Sequence, residues 1–423
     1  MDDAHALDAV LAWLDAESLL RAAMVCRRWA ARATQDGAWR GRVVAAAWTR
    51  GMTPRDAYVR SLRVRARWRS GRVAALGLAH GEQRVLAADG DWLACACGYP
   101  VTGRAVMPYC PVVQTRCVRI HDTTAARTVG VLPAHPGVAA LSRRSARCAT
   151  LPDSPHPCQI EVWGPPATTA PAADDAPTWR RVGAVPWGPR GASRCGRLWW
   201  WGADDVLFAH HTPEDPRLPV VAEWFDLAGG GAPRSVSRRE YRTRGDVVWS
   251  GAAAWVVAAS RVCALDPRAP PGDLPAPLVT LRHDFGGDSD REATALGDDR
   301  RLAMEWRHRG TDVSVVKLWD VRADSRPVAE LRNPRCRGVA CGTARGTVLL
   351  WALPPNAARL HGDAPPVGLA EWDPVRDCTE PLMPLCAECW PGSDGCRWAD
   401  ERRALCIAAD GHAFLWDADV LPA

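Results

Sequence analysis

Two different periodicities divide the chain. From Ala4 to Arg42 the apolar positions follow a helical spacing. Leu7, Val10, Leu11 and Leu14 fall at i, i+3, i+4 and i+7, a narrow apolar stripe. Asp15-Ala16-Glu17-Ser18 interrupts it and offers Asp15 or Ser18 as an N-cap. Leu19, Leu20, Ala23 and Met24 restart an apolar face, and Val25, Cys26, Trp29 and Trp39 complete a short helical unit. A further helix is predicted to start at Thr53-Pro54-Arg55-Asp56, with Thr as N-cap, Pro at the first helical position and an acid at the third. Tyr58, Leu62, Arg65 and Trp68 then recur at one-turn intervals, and Gly71 ends it.

Beyond residue 71 the helical period disappears. Short alternating or apolar runs separated by Gly, Pro and Asp turns take over, as in an all-β domain. Seven strand-like segments end in an aromatic or aliphatic residue next to an Asp or small residue: 118–122, 160–164, 222–226, 262–266, 316–320, 348–352 and 414–417. The steps between their last residues are 42, 62, 40, 54, 32 and 65. A repeat of ~40–45 residues is that of a four-stranded propeller blade. The longer steps call for inserted loops, and Pro165 to Thr178, Pro267 to Pro277 and Pro354 to Pro366 have the composition for them. Only six residues follow Trp416-Asp417, too few for a turn and an outer strand. The segment 72–78 has strand composition and is expected to supply that strand, closing a ring of seven blades. Trp199-Trp200-Trp201 cannot all face one side of a strand, so at least one is expected at a seam or in solvent.

The string from Leu14 through Val25-Cys26-Arg27-Arg28-Trp29, followed ten residues later by Ala38-Trp39, resembles the F-box. The family's opening Leu-Pro is replaced by Asp2-Asp3. Leu318-Trp319-Asp320 and Leu415-Trp416-Asp417 resemble the ending of WD repeats, and an Arg-rich helix ending in Trp and Gly resembles the joint of F-box/WD-repeat proteins. The resemblance implies an α plus all-β chain: an F-box-like helical module at 1–45, a linker helix at 46–71 and a WD-repeat-like β-propeller at 72–423. It also implies the substrate-recognition subunit of a cullin–RING ubiquitin ligase, non-catalytic, with partners in a Skp-type adaptor, through it a cullin, and an unidentified protein target. By the same resemblance the adaptor-facing residues are Leu7, Val10, Leu11, Leu14, Leu19, Leu20, Val25, Cys26 and Trp29. The rival reading is a propeller scaffold with a degenerate F-box that enters no ligase.

Charge and chemistry narrow the picture further. Residues 1–70 carry 13 Arg against 7 acids, whereas the rest of the chain is nearly neutral, which argues against a dedicated nucleic-acid binder. No apolar run is long enough to span a bilayer, and no basic-then-apolar leader is present, so a cytoplasmic or nuclear protein is expected. The 16 cysteines are scattered, as buried small hydrophobes in a reducing compartment would be. Cys386-Ala387-Glu388-Cys389, with Cys378 and Cys396 near in sequence, has one zinc-like bite but no second spaced pair, so no metal and no cofactor are expected. No nucleotide loop or hydrolase motif occurs. His210 and His211 are read as a loop pair. With Arg282, Arg307, Arg309 and Arg345 they are expected on one propeller face, where arginines could grip an acidic or phosphorylated segment. Lys317 is the single lysine, the other 52 basic residues being Arg.

Overall fold

The computed structural model describes residues 3–39, 42–43, 52–77, 82–100, 113–125, 127–133, 136–152, 158–166, 177–187, 196–201, 206–211, 219–227, 234–241, 246–249, 254–258, 261–265, 279–280, 289–295, 301–308, 314–323, 326–332, 336–352, 368–384, 395–407 and 413–419. Four short helices come first: α1 (Asp3–Trp13), α2 (Ala16–Ala22), α3 (Arg27–Ala33) and α4 (Asp36–Trp39). The longer α5 (Pro54–Ser70) follows. Asp15 caps α2, its carboxylate accepting the Ser18 amide at 2.7 Å. Thr53 caps α5 by accepting the Asp56 amide at 3.1 Å, and its own hydroxyl donates to the Asp56 carboxylate. Gly71 terminates α5 in the left-handed region at φ 69°, where a Cβ would be strained.

All remaining elements are strands. β1 (Ala74–Gly77) is followed by the first complete sheet, β2 (Glu82–Asp89), β3 (Trp92–Pro100), β4 (Val113–Asp122) and β5 (Arg127–Leu132). The second holds β6 (Pro136–Ser142), β7 (Arg147–Pro152), β8 (Cys158–Gly164) and β9 (Arg180–Trp187); the third, β10 (Gly196–Trp201), β11 (Val206–His211), β12 (Val220–Asp226) and β13 (Arg234–Tyr241). The fourth holds β14 (Asp246–Trp249), β15 (Ala254–Ala258), β16 (Arg261–Leu265) and β17 (Val279–Thr280). The fifth holds β18 (Ser289–Ala295), β19 (Arg301–His308), β20 (Ser314–Asp320) and β21 (Ala329–Arg332); the sixth, β22 (Cys336–Gly342), β23 (Val348–Ala352), β24 (Gly368–Asp373) and β25 (Cys378–Pro384). The last contains β26 (Gly395–Ala399), β27 (Arg403–Ile407) and β28 (Ala413–Asp417), with β1 as its fourth strand. The described residues thus form seven four-stranded antiparallel sheets. The expected closure by the segment before the first repeat is present: β1 pairs with β28 from Ala74↔Asp417 to Gly77↔Phe414.

Successive sheets pack through apolar seams, and the Trp residues of third strands fill them. Trp163, Trp224, Trp319 and Trp372 are all buried there. Four of the third strands end where an Asp turns the chain. Asp122 accepts the amides of Thr124 and Ala125, Asp320 that of Arg322, Asp373 those of Val375 and Arg376, and Asp417 that of Asp419. These Asx-type turns are the physical reason an Asp recurs after the aromatic residue. They also correct one sequence landmark. Residues 348–352 form the second strand of the sixth sheet, not its third. The third ends at Asp373, so the last two steps become 53 and 44 residues.

The triple tryptophan splits as alternation requires. Trp200 is buried in the seam between the second and third sheets, while Trp199 stacks on Phe208 at 5.5 Å toward the fourth. The side chain of Trp201 is outside the described residues.

Candidate functional site

The helical module has a small core of its own. Leu7, Leu11, Leu19, Ala22, Ala33 and Trp39 are buried together with Tyr58 from α5. The Trp39 indole donates to the Ala33 carbonyl at 2.7 Å. Arg42 closes the unit from outside: its guanidinium donates to the carbonyls of Leu14 at 2.7 Å and Leu11 at 3.2 Å, at the end of α1, and to that of Ala38 at 2.6 Å. A cation is favoured at that carbonyl-rich helix end. Hydrogen bonds from Ser18 hold the Asp15 carboxyl below the usual carboxylate range.

Large apolar side chains remain outside this core. Trp13 is 90% exposed, Met24 85%, Val25 65% and Val10 48%. Val10 and Trp13 are one turn apart on α1 and therefore neighbours, and Met24 and Val25 are consecutive in the turn before α3. Large contiguous exposed apolar patches are a common feature of protein-binding surfaces.

Helix α5 belongs to two cores at once. Its first half, through Tyr58 and Leu62, packs in the helical module. Its second half, through Val64 and Trp68, packs against Leu349, Leu369, Leu382 and Ala404 of the sixth and last sheets. Two buried carboxylates secure it. Glu401, 4% exposed in the turn between β26 and β27, accepts from the Ser61 hydroxyl and from the Ala344 amide at 2.9 Å, while its backbone carbonyl accepts from the Trp68 indole at 3.0 Å. Glu371 on β24 pairs with Arg65 and with Arg345 at 3.2 Å and accepts the Thr347 hydroxyl at 2.7 Å. Arg60 pairs with Asp419, and Arg67 donates to the Ala418 carbonyl at 3.1 Å. Arg376 in the turn after β24 lies 3.4 Å from Glu17 of α2.

A family model described as F-box-like matches residues 5–44. The chain carries an F-box-like domain ahead of a WD-like β-propeller. No curated protein matches the sequence at a significant level. Among solved structures, the β-propeller domain of Cps50 (Swd1) from Myceliophteria thermophila is 11% identical, with 82% of this chain and 99% of that one covered at a TM-score of 0.49. The WD40 β-propeller domain of Doa1 is 9% identical, covering 81% and 95% at 0.44. An oligogalacturonate lyase from Vibrio parahaemolyticus is 8% identical, covering 82% and 91% at 0.46. The strand pairings above, rather than these distant likenesses, define the propeller.

Of the nine residues expected to face an adaptor, the F-box-like domain buries Leu7, Leu11 and Leu19 as its own core. Leu14, Leu20 and Trp29 are half-buried, and Val10, Val25 and Cys26 are exposed. Trp13, outside the expected set, lies off the apolar stripe of α1 and is exposed, and Met24, expected on the second apolar face, is exposed as well.

The expected cationic face is revised. His210 and His211 are not in a loop. They end strand β11, each 3% exposed, and the His210 ring lies 2.8 Å from the Tyr241 hydroxyl. Arg345 sits in the turn between β22 and β23, on the side of the propeller that receives α5, and is engaged with Glu371 and Tyr58. Arg307 is on β19, its side chain outside the described residues, as are Arg282 and Arg309 altogether. Of the cysteine group, Cys386 and Cys389 are also outside them, and no metal-binding cluster occurs among the described residues. Also among them, no helix is long and apolar enough to cross a membrane.

Proposed function

We propose that this chain is the substrate receptor of a cullin–RING ubiquitin ligase in the cytoplasm or nucleus. The F-box-like domain at 1–45 docks a Skp-type adaptor, and through it a cullin. The helix within 46–71 fixes the spacing, and the propeller at 72–423 holds a protein target. The chain itself performs no chemistry; transfer belongs to other subunits. The observation that carries this reading is the double membership of α5. Its contacts with both the module and the sixth and last sheets favour a rigid span between adaptor and target, and rigidity keeps a bound target at a fixed distance from the transfer site.

The adaptor surface is assigned to Val10, Trp13, Met24 and Val25, with Leu14, Leu20 and Trp29 at its base. Arg282, Arg307 and Arg309 are retained as candidates for gripping an acidic segment of the target. His210, His211 and Arg345 are not, since burial and the contacts with α5 occupy them.

The test is co-purification of the full chain with a Skp-type adaptor, comparing wild type with a Trp13→Asp/Met24→Asp variant. Both positions are solvent-exposed, so the variant should fold. Stoichiometric wild-type binding lost in the variant supports the receptor. A folded wild type that binds no adaptor leaves the scaffold reading in its place.

A further inference from the structure

Arginine carries almost all of the positive charge of the chain, and Lys317 is its single lysine. The fold removes that one amine from the surface. β20 places Lys317 in the fifth sheet at 3% exposure, between Met304 of β19 and Glu330 of β21. Its Nζ lies 3.3 Å from the Glu330 carboxylate. Val316, Leu318 and Trp319 beside it in sequence are buried as well. Burial pushes the Glu330 carboxyl up, but Arg332 and Lys317 together hold it below the usual range, so the partner stays charged at neutral pH.

We infer that the folded chain presents no lysine to an acylating donor, and in particular none to a thioester-linked ubiquitin. In that transfer an amine nitrogen attacks the thioester carbonyl. The C–N bond forms, the C–S bond breaks and the carrier leaves as a thiolate, while the amine proton passes through solvent or a nearby base to that thiolate. The attacking amine must be unpaired and must project far enough to reach a carbonyl held by another protein. Lys317 is enclosed in a sheet and held by a carboxylate. Arginine does not replace it, because the guanidinium keeps its proton and is no nucleophile. On the proposed ligase role, which gives this property its meaning, the receptor lies beside a loaded carrier without being marked on its own lysine, while lysines of the target are. Turnover by lysine modification then requires the fifth sheet to open.

The test does not depend on the ligase. The full folded chain is treated at neutral pH with an amine-reactive succinimidyl ester, and labelling at Lys317 is read by mass spectrometry before and after denaturation in urea. An Arg180→Lys variant, at an exposed position on β9, supplies an accessible amine as the internal standard. Lys317 should label at least roughly 100-fold more slowly than that standard in the native chain and equally in urea. Native labelling within a few-fold of the standard would overturn the inference. So would ubiquitin found on Lys317 of the folded chain in a reconstituted ligase. Failure to bind the adaptor counts against the proposed function instead and leaves the labelling result standing.

Discussion

Tryptophan is used in opposite ways by the two regions of this molecule. In the propeller no described Trp side chain is solvent-exposed, and Trp224, Trp255, Trp319 and Trp372 are almost wholly enclosed. In the F-box-like domain Trp39 is enclosed but Trp13 stands 90% in solvent. The difference follows from size and closure. Each face of a blade meets a neighbouring blade, so a large side chain on either face finds a seam. A module of some forty residues has one small core, filled by Leu7, Leu11, Leu19, Trp39 and the borrowed Tyr58. Any further large apolar group is left outside that core. The propeller therefore encloses its described Trp side chains, and the module leaves Trp13 in solvent.

The sharpest way to break that comparison is Trp319→Ala. The indole fills the seam between the fourth and fifth sheets with Trp255, Leu302 and Met304, and truncation should leave a cavity. The expected loss is about 3–5 kcal/mol, read from denaturant unfolding of the full chain. A loss below about 1 kcal/mol would mean the seams are not where the propeller is held together.

The sequence made these seams partly readable. The helical stripes, the cap at Thr53, the stop at Gly71 and the borrowed strand at 74–77 are all local signals, and all are present as expected. The sixth landmark went astray because Leu349-Leu350-Trp351 looks like a third strand, yet Ala352 has no carboxylate to make the turn. Asp373 does, and it accepts two amides. His210 and His211 looked like a loop because adjacent polar residues break an alternating pattern, but here both faces of 207–211 are buried, the two histidines included. Glu371 and Glu401 were not legible at all. Their burial is created by α5 arriving from residues more than 300 positions away, and no local pattern announces it.

A second, somewhat smaller effect concerns how the ring shuts. Arg402 is 1% exposed and lies against Asp417 at 2.8 Å, the Thr123 hydroxyl at 3.2 Å and Asp91 of the first sheet, which also takes Arg143 at 2.6 Å. The last and first sheets are thus joined by charge where β1 joins the last by hydrogen bonds. Arg402→Ala leaves a buried carboxylate unpaired and should cost about 3 kcal/mol at pH 7. The penalty should shrink in acid. Burial pushes the Asp91 carboxyl up, but Arg402 and Arg143 outweigh it and hold it below its ordinary value. A carboxyl depressed in the folded state adds stability that is complete above its unfolded pKa and is lost as pH falls through the folded one. The variant lacks most of that contribution, so the two unfolding curves should converge below about pH 4. Parallel curves across that range would show that Asp91 does not take part in closure.

The smallest stability effect is predicted where recognition is expected to be largest. Trp13→Ala removes an indole that touches little of the protein, so unfolding should shift by no more than about 0.5 kcal/mol. Adaptor binding should fall sharply, since a truncated aromatic anchor at an interface commonly costs 2 kcal/mol or more, roughly thirtyfold in affinity. Leu19→Ala gives the complementary pattern. Leu19 is fully buried in the module, so about 2–5 kcal/mol of stability should go first, with binding lost only as a consequence of unfolding. Thermal unfolding and adaptor titration on the two full-length variants separate the cases. If Trp13→Ala binds like wild type while Leu19→Ala fails, the exposed tryptophan is not an anchor, and the adaptor surface must lie with Met24 and Val25.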